Sequence, residues 1–420
     1  MSLKNSDIIS EYLRNFSLND TLDKCVGKTQ KTVVKPVQIN NTYFFKYINE
    51  FWTSKQRQAS SIHEISYRAC FKPQLPRFFI KFLTKRNDIV YDPFSGRGTT
   101  VIEAALLGRK IISNDINPLS KILIYPRFFV PDLDAIKERL FKIPLNKKLK
   151  ADIDLSMFYH PDTEGELVSL KNYLSERQKD NEEDNIDKWI RMVATNRLTG
   201  HSKGFFSVYT LPPNQAVSPE RQIKINKKLN QKPEYRNIRE LILKKSKSLI
   251  RNLTIKQIQT LRNIGSSALF LKNDSRATPE IDTNSVKLTI TSPPFLNIVQ
   301  YSKDNWLRCW FNNIDIKKIS KKITLAKNIK DWSNIMQDVF NELYRITQVD
   351  GWVAFEVGEI KKGTIKLEEY VLPLGINSGF KCEGILINSQ KFTKTSNIWG
   401  VYNQCAGTNT NRIVIFHKIN

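Results

Sequence analysis

Hydrophobic and polar positions follow two rhythms along this chain. Asp88 to Phe94 is a short apolar run that predicts a strand. Thr99 to Leu107 predicts a helix closed by Gly108, and Lys110 to Asn114 a second strand ending at Asp115. Strand, glycine turn, helix and strand in close succession form a βαβ unit, which demands a parallel sheet covered by helices. The rhythm resumes at Ser267 to Leu271 and Val286 to Thr291, then gives a helix over Asp331 to Ile346 and a strand over Trp352 to Val357. The last strands are expected near Cys382 to Ile387 and Arg412 to Phe416. Upstream, Pro73 and Pro76 frame an amphipathic helix with Phe78, Phe79, Phe82 and Leu83 on one face. Residues 1–60 are polar with aromatic interruptions, such as Tyr43-Phe44-Phe45-Lys46-Tyr47 and Phe51-Trp52, whose helical spacing suggests an arm packed on the main domain.

From about Leu119 to Gly265 the pattern changes to charged helical runs, the polar stretch Gln178 to Asp187 and a loop-rich section around Leu211-Pro212-Pro213-Asn214. No internal repeat or low-complexity stretch stands out. The chain therefore reads as one doubly wound α/β domain, residues 61–120 and 266–420, preceded by the arm and interrupted at 121–265 by a mainly helical insertion of about 145 residues.

Charge changes this picture. The chain of 420 residues carries 66 Lys and Arg against 41 Asp and Glu, a net +25. A lysine-rich composition explains part of that, but Asp187 to Arg262 alone hold 17 basic and 4 acidic residues. A patch of this kind suits a polyanionic partner, nucleic acid before an anionic membrane surface. The cysteines Cys25, Cys70, Cys309, Cys382 and Cys405 are scattered, odd in number and without a C-x-x-C pair, as reduced thiols of a cytoplasmic protein are. Four isolated histidines give no metal site, no secretory signal is visible and no apolar run is long enough to cross a membrane.

Candidate chemistry gathers at two places. In Val90-Tyr91-Asp92-Pro93-Phe94-Ser95-Gly96-Arg97-Gly98-Thr99-Thr100, a strand runs into a turn where Gly96 and Gly98 let the backbone approach a ligand closely. A nucleoside cofactor in an open α/β sheet binds at such a turn, outside the carboxyl ends of the strands. Asp92 is placed to accept hydrogen bonds or attract a positive aminoacid moiety, and Asp115, at the next strand end, to grip ribose hydroxyls. Nicotinamide enzymes share that pairing of glycines and acid. The second place is Leu288-Thr289-Ile290-Thr291-Ser292-Pro293-Pro294-Phe295, a buried strand ending in rigid hydrogen-bond acceptors and an aromatic plate.

Asp92-Pro93-Phe94-x-Gly96-x-Gly98-Thr99-Thr100 followed by Ser292-Pro293-Pro294-Phe295 resembles the cofactor and catalytic motifs of S-adenosylmethionine-dependent DNA amino-methyltransferases. The resemblance covers roughly residues 60–120 and 267–416 and implies a mostly parallel seven-stranded sheet with S-adenosylmethionine as cofactor. It implies that Phe94 lies against the methionine part and that Thr99 helps close the turn. Asp274 would contact the adenine amine, and Phe71-Lys72-Pro73 would close over the methionine end. The insertion would then be the target-recognition region, though it falls after the second strand rather than the third if Asp274 is the adenine contact. Asp331-Trp332 to Phe355 resembles the family's helix, glycine turn and fifth strand, with its acids and aromatics read as scaffold. Gln390 to Thr395 and Trp399 would line the base pocket or form a surface turn.

The exocyclic amine of a base is a poor nucleophile because its lone pair is delocalised into the ring. Acceptors aimed at its N–H bonds, the Ser292 hydroxyl and the Pro293 carbonyl, would draw the lone pair toward the methyl group, and two prolines pre-organise them. Phe295 would stack on a base flipped out of duplex DNA. Ser-Pro-Pro-Phe resembles the cytosine-N4 branch, whereas Asp-Pro-Pro-Tyr and Asn-Pro-Pro-Tyr are more typical of adenine-N6 enzymes. Within the insertion His201, Lys203, Asn214, Gln215, Arg221 and Gln222 have the donors and acceptors to read bases, and the lysines the charge to hold phosphates. The expectation is a cytosine-N4 methyltransferase of a restriction-modification system, with any cognate endonuclease a separate protein. Adenine-N6 transfer, RNA amino-methylation and a DNA-binding protein without turnover are the rivals.

Overall fold

The computed structural model describes residues 5–17, 31–39, 42–52, 59–68, 70–211, 215–294, 301–322, 326, 328–360, 365–389 and 410–420. Phe295, Asn214, Gln390 to Thr395, Trp399, Cys25 and Cys405 lie outside them.

The chain forms strands β1 (Val33–Ile39), β2 (Thr42–Asn49), β3 (Ile89–Asp92), β4 (Lys110–Asn114), β5 (Leu269–Leu271), β6 (Val286–Thr291), β7 (Thr347–Val357), β8 (Glu359–Ile360), β9 (Ile365–Lys366), β10 (Lys381–Ser389) and β11 (Thr410–His417). Nine of them make one sheet in the order β1-β2-β10-β11-β7-β6-β3-β4-β5, while β8 and β9 pair separately. Seven of the nine, β10 to β5 in that order, are the expected sheet. Strands β5, β4, β3, β6 and β7 run parallel, and β11 enters antiparallel between β7 and β10. Because five neighbours point the same way, everything that follows their last residues gathers on one rim.

The sheet reaches beyond the expected seven strands because β2 pairs parallel with β10 and carries β1 at its outer edge. Helical spacing over residues 43–52 is thus not realised: Thr42–Asn49 is a strand. Aromatic residues clustered there satisfy either period, and an open neighbour at β10 favours the extended one. A helix does precede it, at Asn5–Asn15.

Alternation along the strands explains the layering. Val90, Trp352, Ala354, Ile413 and Ile415 face one core, whereas Tyr91, Val353, Phe355, Val414 and Phe416 face the other. The second core is closed by helix Ile329–Ile346, through Trp332, Met336, Val339, Phe340 and Leu343, and by helix Leu367–Asn377. The first is covered by helices Gln74–Leu83 and Thr99–Leu106 and by the insertion, whose Trp189, Ile190, Ile242 and Leu249 are buried in it.

The insertion enters between β4 and β5, the second and third strands of the parallel run. Its helices include Pro161–Lys179, Asn185–Arg197, Pro219–Leu229, Ile238–Ile250 and Ile255–Ser266. Capping boxes at Asp184 and Thr254 satisfy the free N–H groups that open two of them.

Candidate active site

Two left-handed residues shape the turn after β3. Gly96 has φ +51° and Gly98 φ +79°, and a Cβ on Gly98 would stand 2.5 Å from Ile124 Cγ1. Only glycine fits there without displacing that side chain. The Gly98 N–H donates to the Ser95 carbonyl at 2.6 Å, and helix Thr99–Leu106 starts immediately after. Asp115 supports the turn from the end of β4. One of its oxygens accepts the Gly96 N–H at 2.8 Å, the other the Asn117 N–H at 2.9 Å. Burial pushes its carboxyl up to about 6 in spite of both bonds.

The turn is tied on its other sides as well. Arg97 donates to the carbonyls of Ile65 (2.8 Å) and Phe71 (3.4 Å), and the buried Arg127 donates back to the Arg97 carbonyl. Segment Phe71-Lys72-Pro73 therefore lies against the glycine turn, with Pro73 capping helix Gln74–Leu83 and burial depressing the Lys72 ammonium. Arg97 Nε also reaches the Thr99 hydroxyl at 3.2 Å. Pro93 is held by Ser275, whose hydroxyl donates to its carbonyl at 2.8 Å, and Asn114 accepts the Asn273 N–H at 2.9 Å. Asp274, between them, is brought to the same rim. It is partly exposed and engaged by Arg276 at 2.6 Å, which holds its carboxyl below the ordinary range. Phe94 is half-buried.

The Ser-Pro-Pro corner ends the adjacent strand, β6. Thr291, the residue before Ser292, donates its hydroxyl to Asp92 Oδ1 at 2.7 Å across 199 positions of chain. Thr100, from the glycine turn, donates to the Ile290 carbonyl at 3.2 Å. The two motifs are thereby bound edge to edge. Asp92 is only 2% exposed; it also accepts the Phe94 N–H, and burial together with the nearby Asp115 charge pushes it up to about 7. Its partners are thus within the protein, between the motifs. On the far side, Trp332 Nε1 donates to the Pro294 carbonyl at 3.1 Å and pins the corner to helix Ile329–Ile346.

One residue of this site was missed as chemistry. Glu356 sits near the end of β7, beside β6, accepts a hydrogen bond from Asn411 Nδ2 at 3.0 Å, and has the Ser292 hydroxyl beside it, favouring its charged form. Burial raises its carboxyl above the ordinary range. The signal was available: in Trp352-Val353-Ala354-Phe355-Glu356-Val357 it is a lone acid in an apolar strand, a placement rare without a partner. Among the base-reading candidates, Gln222 is buried and donates to the Tyr209 carbonyl at 3.0 Å. Among the described residues no cluster of three or more His, Cys, Asp or Glu could hold a metal ion, and no helix is long and apolar enough to cross a membrane.

Proteins similar to this chain in sequence are methyltransferases. Residues 18–122 match the DNA methylase family model. A Type II methyltransferase, M.BsoBI of Geobacillus stearothermophilus, is 24% identical over 346 residues, 76% of this chain and 65% of that protein. The tRNA (guanine(10)-N2)-dimethyltransferase of Methanocaldococcus jannaschii is 29% identical over 167 residues, 36% of this chain and 47% of that one. The chain thus spans less than two thirds of either relative. Among solved structures, the rRNA methyltransferase aviRa of Streptomyces viridochromogenes covers 88% of this chain and 96% of its own, at TM-score 0.33 and 9% identity. The likeness to DNA methylases, carried first by two motifs, is found again by comparison.

Proposed function

We propose that this chain is an S-adenosylmethionine-dependent DNA amino-methyltransferase of a Type II restriction-modification system, its nuclease a separate chain, acting on cytosine N4 in duplex DNA. The observation that carries the reading is the direct bonding of Thr291 to Asp92 and of Thr100 to Ile290, which sets the two motifs side by side on one rim. Similarity to M.BsoBI over 76% of the chain supports the system, and the serine of Ser-Pro-Pro supports the cytosine branch.

The donor set suits the cofactor. Asp115 uses one lone pair on each oxygen for Gly96 and Asn117, which leaves the others for ribose hydroxyls. The bare backbone of Gly96 and Gly98 admits the nucleoside, with Asp274 at the adenine end and Phe71, Lys72, Pro73, Pro93, Phe94 and Thr99 around the methionine end. S-adenosylmethionine would supply an electrophilic methyl group there. Ser292 and the Pro293 carbonyl accept the amine N–H bonds, and Phe295 stacks on the flipped base. Forming the N–C bond leaves a surplus proton on the amine. Ser292 donates its own proton to Glu356, so its oxygen offers lone pairs to the amine, and the raised Glu356 carboxyl is suited to take the proton through it.

The test is transfer of tritiated methyl to duplex DNA, followed by digestion and mass identification of the nucleoside. N4-methylcytosine is expected; N6-methyladenine would leave the enzyme and overturn the base. The second reading is RNA amino-methylation, favoured by the likeness to a tRNA (guanine(10)-N2)-dimethyltransferase. Transfer to tRNA but not to duplex DNA would establish it.

A further inference from the structure

The sheet's carboxyl-end rim carries a second feature, beyond β4 and β5, that the chemistry above does not use. Lys121 stands on helix Leu119–Ile124 after β4, Lys272 follows β5, and Lys188 opens helix Asn185–Arg197 of the insertion. Three remote elements bring these ammonium groups together: burial, and then the neighbouring Lys272 and Lys188 charges, depress the Lys121 ammonium. Among the described residues none of the three has an acidic partner within salt-bridge distance. An aromatic wall stands under Lys188, with Lys121 one helical turn before Tyr125 and Lys272 two residues after Phe270. Lys188 Nζ lies 5.3 Å from the Tyr125 ring, which packs on Phe129 at 4.8 Å and on Phe270 at 5.3 Å. All three rings are partly exposed. Past Phe129 the surface falls into a cavity of about 470 Å³ that holds Arg262, Asn185 and a single acid, Asp132.

Like charges converging without counter-ions are unfavourable in the free protein and become favourable when a polyanion is seated on them. Partly exposed rings between cations add a surface on which bases can stack. Position selects the ligand: β5 is three strand spacings from β6, roughly 14 Å, about four base-pair steps of a duplex.

We propose that Lys121, Lys188 and Lys272, around Tyr125, Phe129 and Phe270, grip the sugar-phosphate backbone of the nucleic acid whose base enters the cleft. The inference rests on the proposed function and names the face of the insertion, joined to the rim of the sheet, that meets DNA. The long basic helices elsewhere in the insertion are then mainly solvated faces.

The test compares two triple variants of the full chain. One is Lys121→Gln/Lys188→Gln/Lys272→Gln; the other, Lys85→Gln/Arg86→Gln/Lys110→Gln, removes as many charges from the opposite, amino-end rim. Affinity for a duplex is measured against salt concentration, with S-adenosylmethionine binding by calorimetry as a second readout. Each lost phosphate contact lowers the log–log salt slope by about 0.9. The first variant is expected to lose about 2–3 from the slope and keep its cofactor affinity, and the second to match the wild type. An unchanged slope in the first variant, or loss of cofactor binding with DNA binding intact, overturns the proposal while DNA methylation by the wild type stands. A wild type that transfers methyl to RNA alone overturns the proposed function, and the same slopes measured on RNA then decide the surface.

Discussion

Asp92 occupies a place where a carboxylate is hard to keep charged, and that has consequences for stability. Its folded value of about 7 lies far above that of an exposed aspartate, about 4. Between those values the folded protein holds a proton that the unfolded chain has released, so this residue makes stability fall as pH rises from about 4 to about 7. Asp115, at about 6, acts in the same direction over a narrower window. Asp92→Asn keeps an acceptor for Thr291 and Phe94 and removes the charge. Urea unfolding at pH 5 and pH 8 is expected to show the pH-dependent difference shrinking by about 2–4 kcal/mol in the variant; an unaltered difference would mean that Asp92 is ionised in the folded protein across that whole range. Glu356 makes a kinetic prediction instead. If it takes the Ser292 proton, Glu356→Gln lowers kcat by roughly 100-fold with little change in KM for DNA. It also abolishes the fall in rate on acidification, because the raised carboxyl that must be ionised is gone. A uniform loss of rate at every pH, with the acidic limb intact, would reduce Glu356 to a packing role. The glycines and Asp115 were legible in the sequence because local chain geometry defines them. Glu356 was legible only as a lone acid in an apolar strand, since the Ser292 beside it lies 64 positions away in the chain.

Elements were readable where local pattern and tertiary demand coincide. Strands β4 and β6 end where the apolar runs end, at Asn114 and Thr291, because turn residues and a proline follow them. The hairpin β1–β2 was not readable: its aromatic residues suit either a helix face or a strand, and only the free edge of β10 decides. The turn after β3 shows the reverse case, a local rule reinforced by packing. Gly98→Ala meets both a left-handed backbone and the Ile124 side chain. The two together are expected to lower unfolding free energy by about 2–5 kcal/mol. In a double-mutant cycle with Ile124→Ala, the steric share appears as a coupling energy of about 1–3 kcal/mol, while the backbone share remains. Additive losses would place the whole effect in φ.

At the scale of the molecule, a parallel sheet converts distance in sequence into adjacency. The insertion separates β4 from β5 by 154 residues, yet Asn114 and Asn273 are hydrogen-bonded across the gap at 2.9 Å. The cofactor turn, the Asp274 loop and the Ser-Pro-Pro corner therefore belong to one bonded rim, linked through Pro93, Asp92 and Thr291. A ligand seated on part of that rim should stiffen all of it. With S-adenosylmethionine at 100 times its Kd, stability is expected to rise by about 2.7 kcal/mol. Hydrogen exchange should slow together over residues 94–98, 115–117, 273–277 and 288–292, while helix Pro219–Leu229 exchanges as before. Slowing confined to 94–98 and 115–117 would mean that the Ser292 corner does not share the nucleoside's cleft. Repeating the measurement on Thr291→Val separates binding from coupling. Loss of that one hydroxyl should leave protection at 94–98 and weaken it at 288–292, since the Thr291–Asp92 bond carries the connection between them.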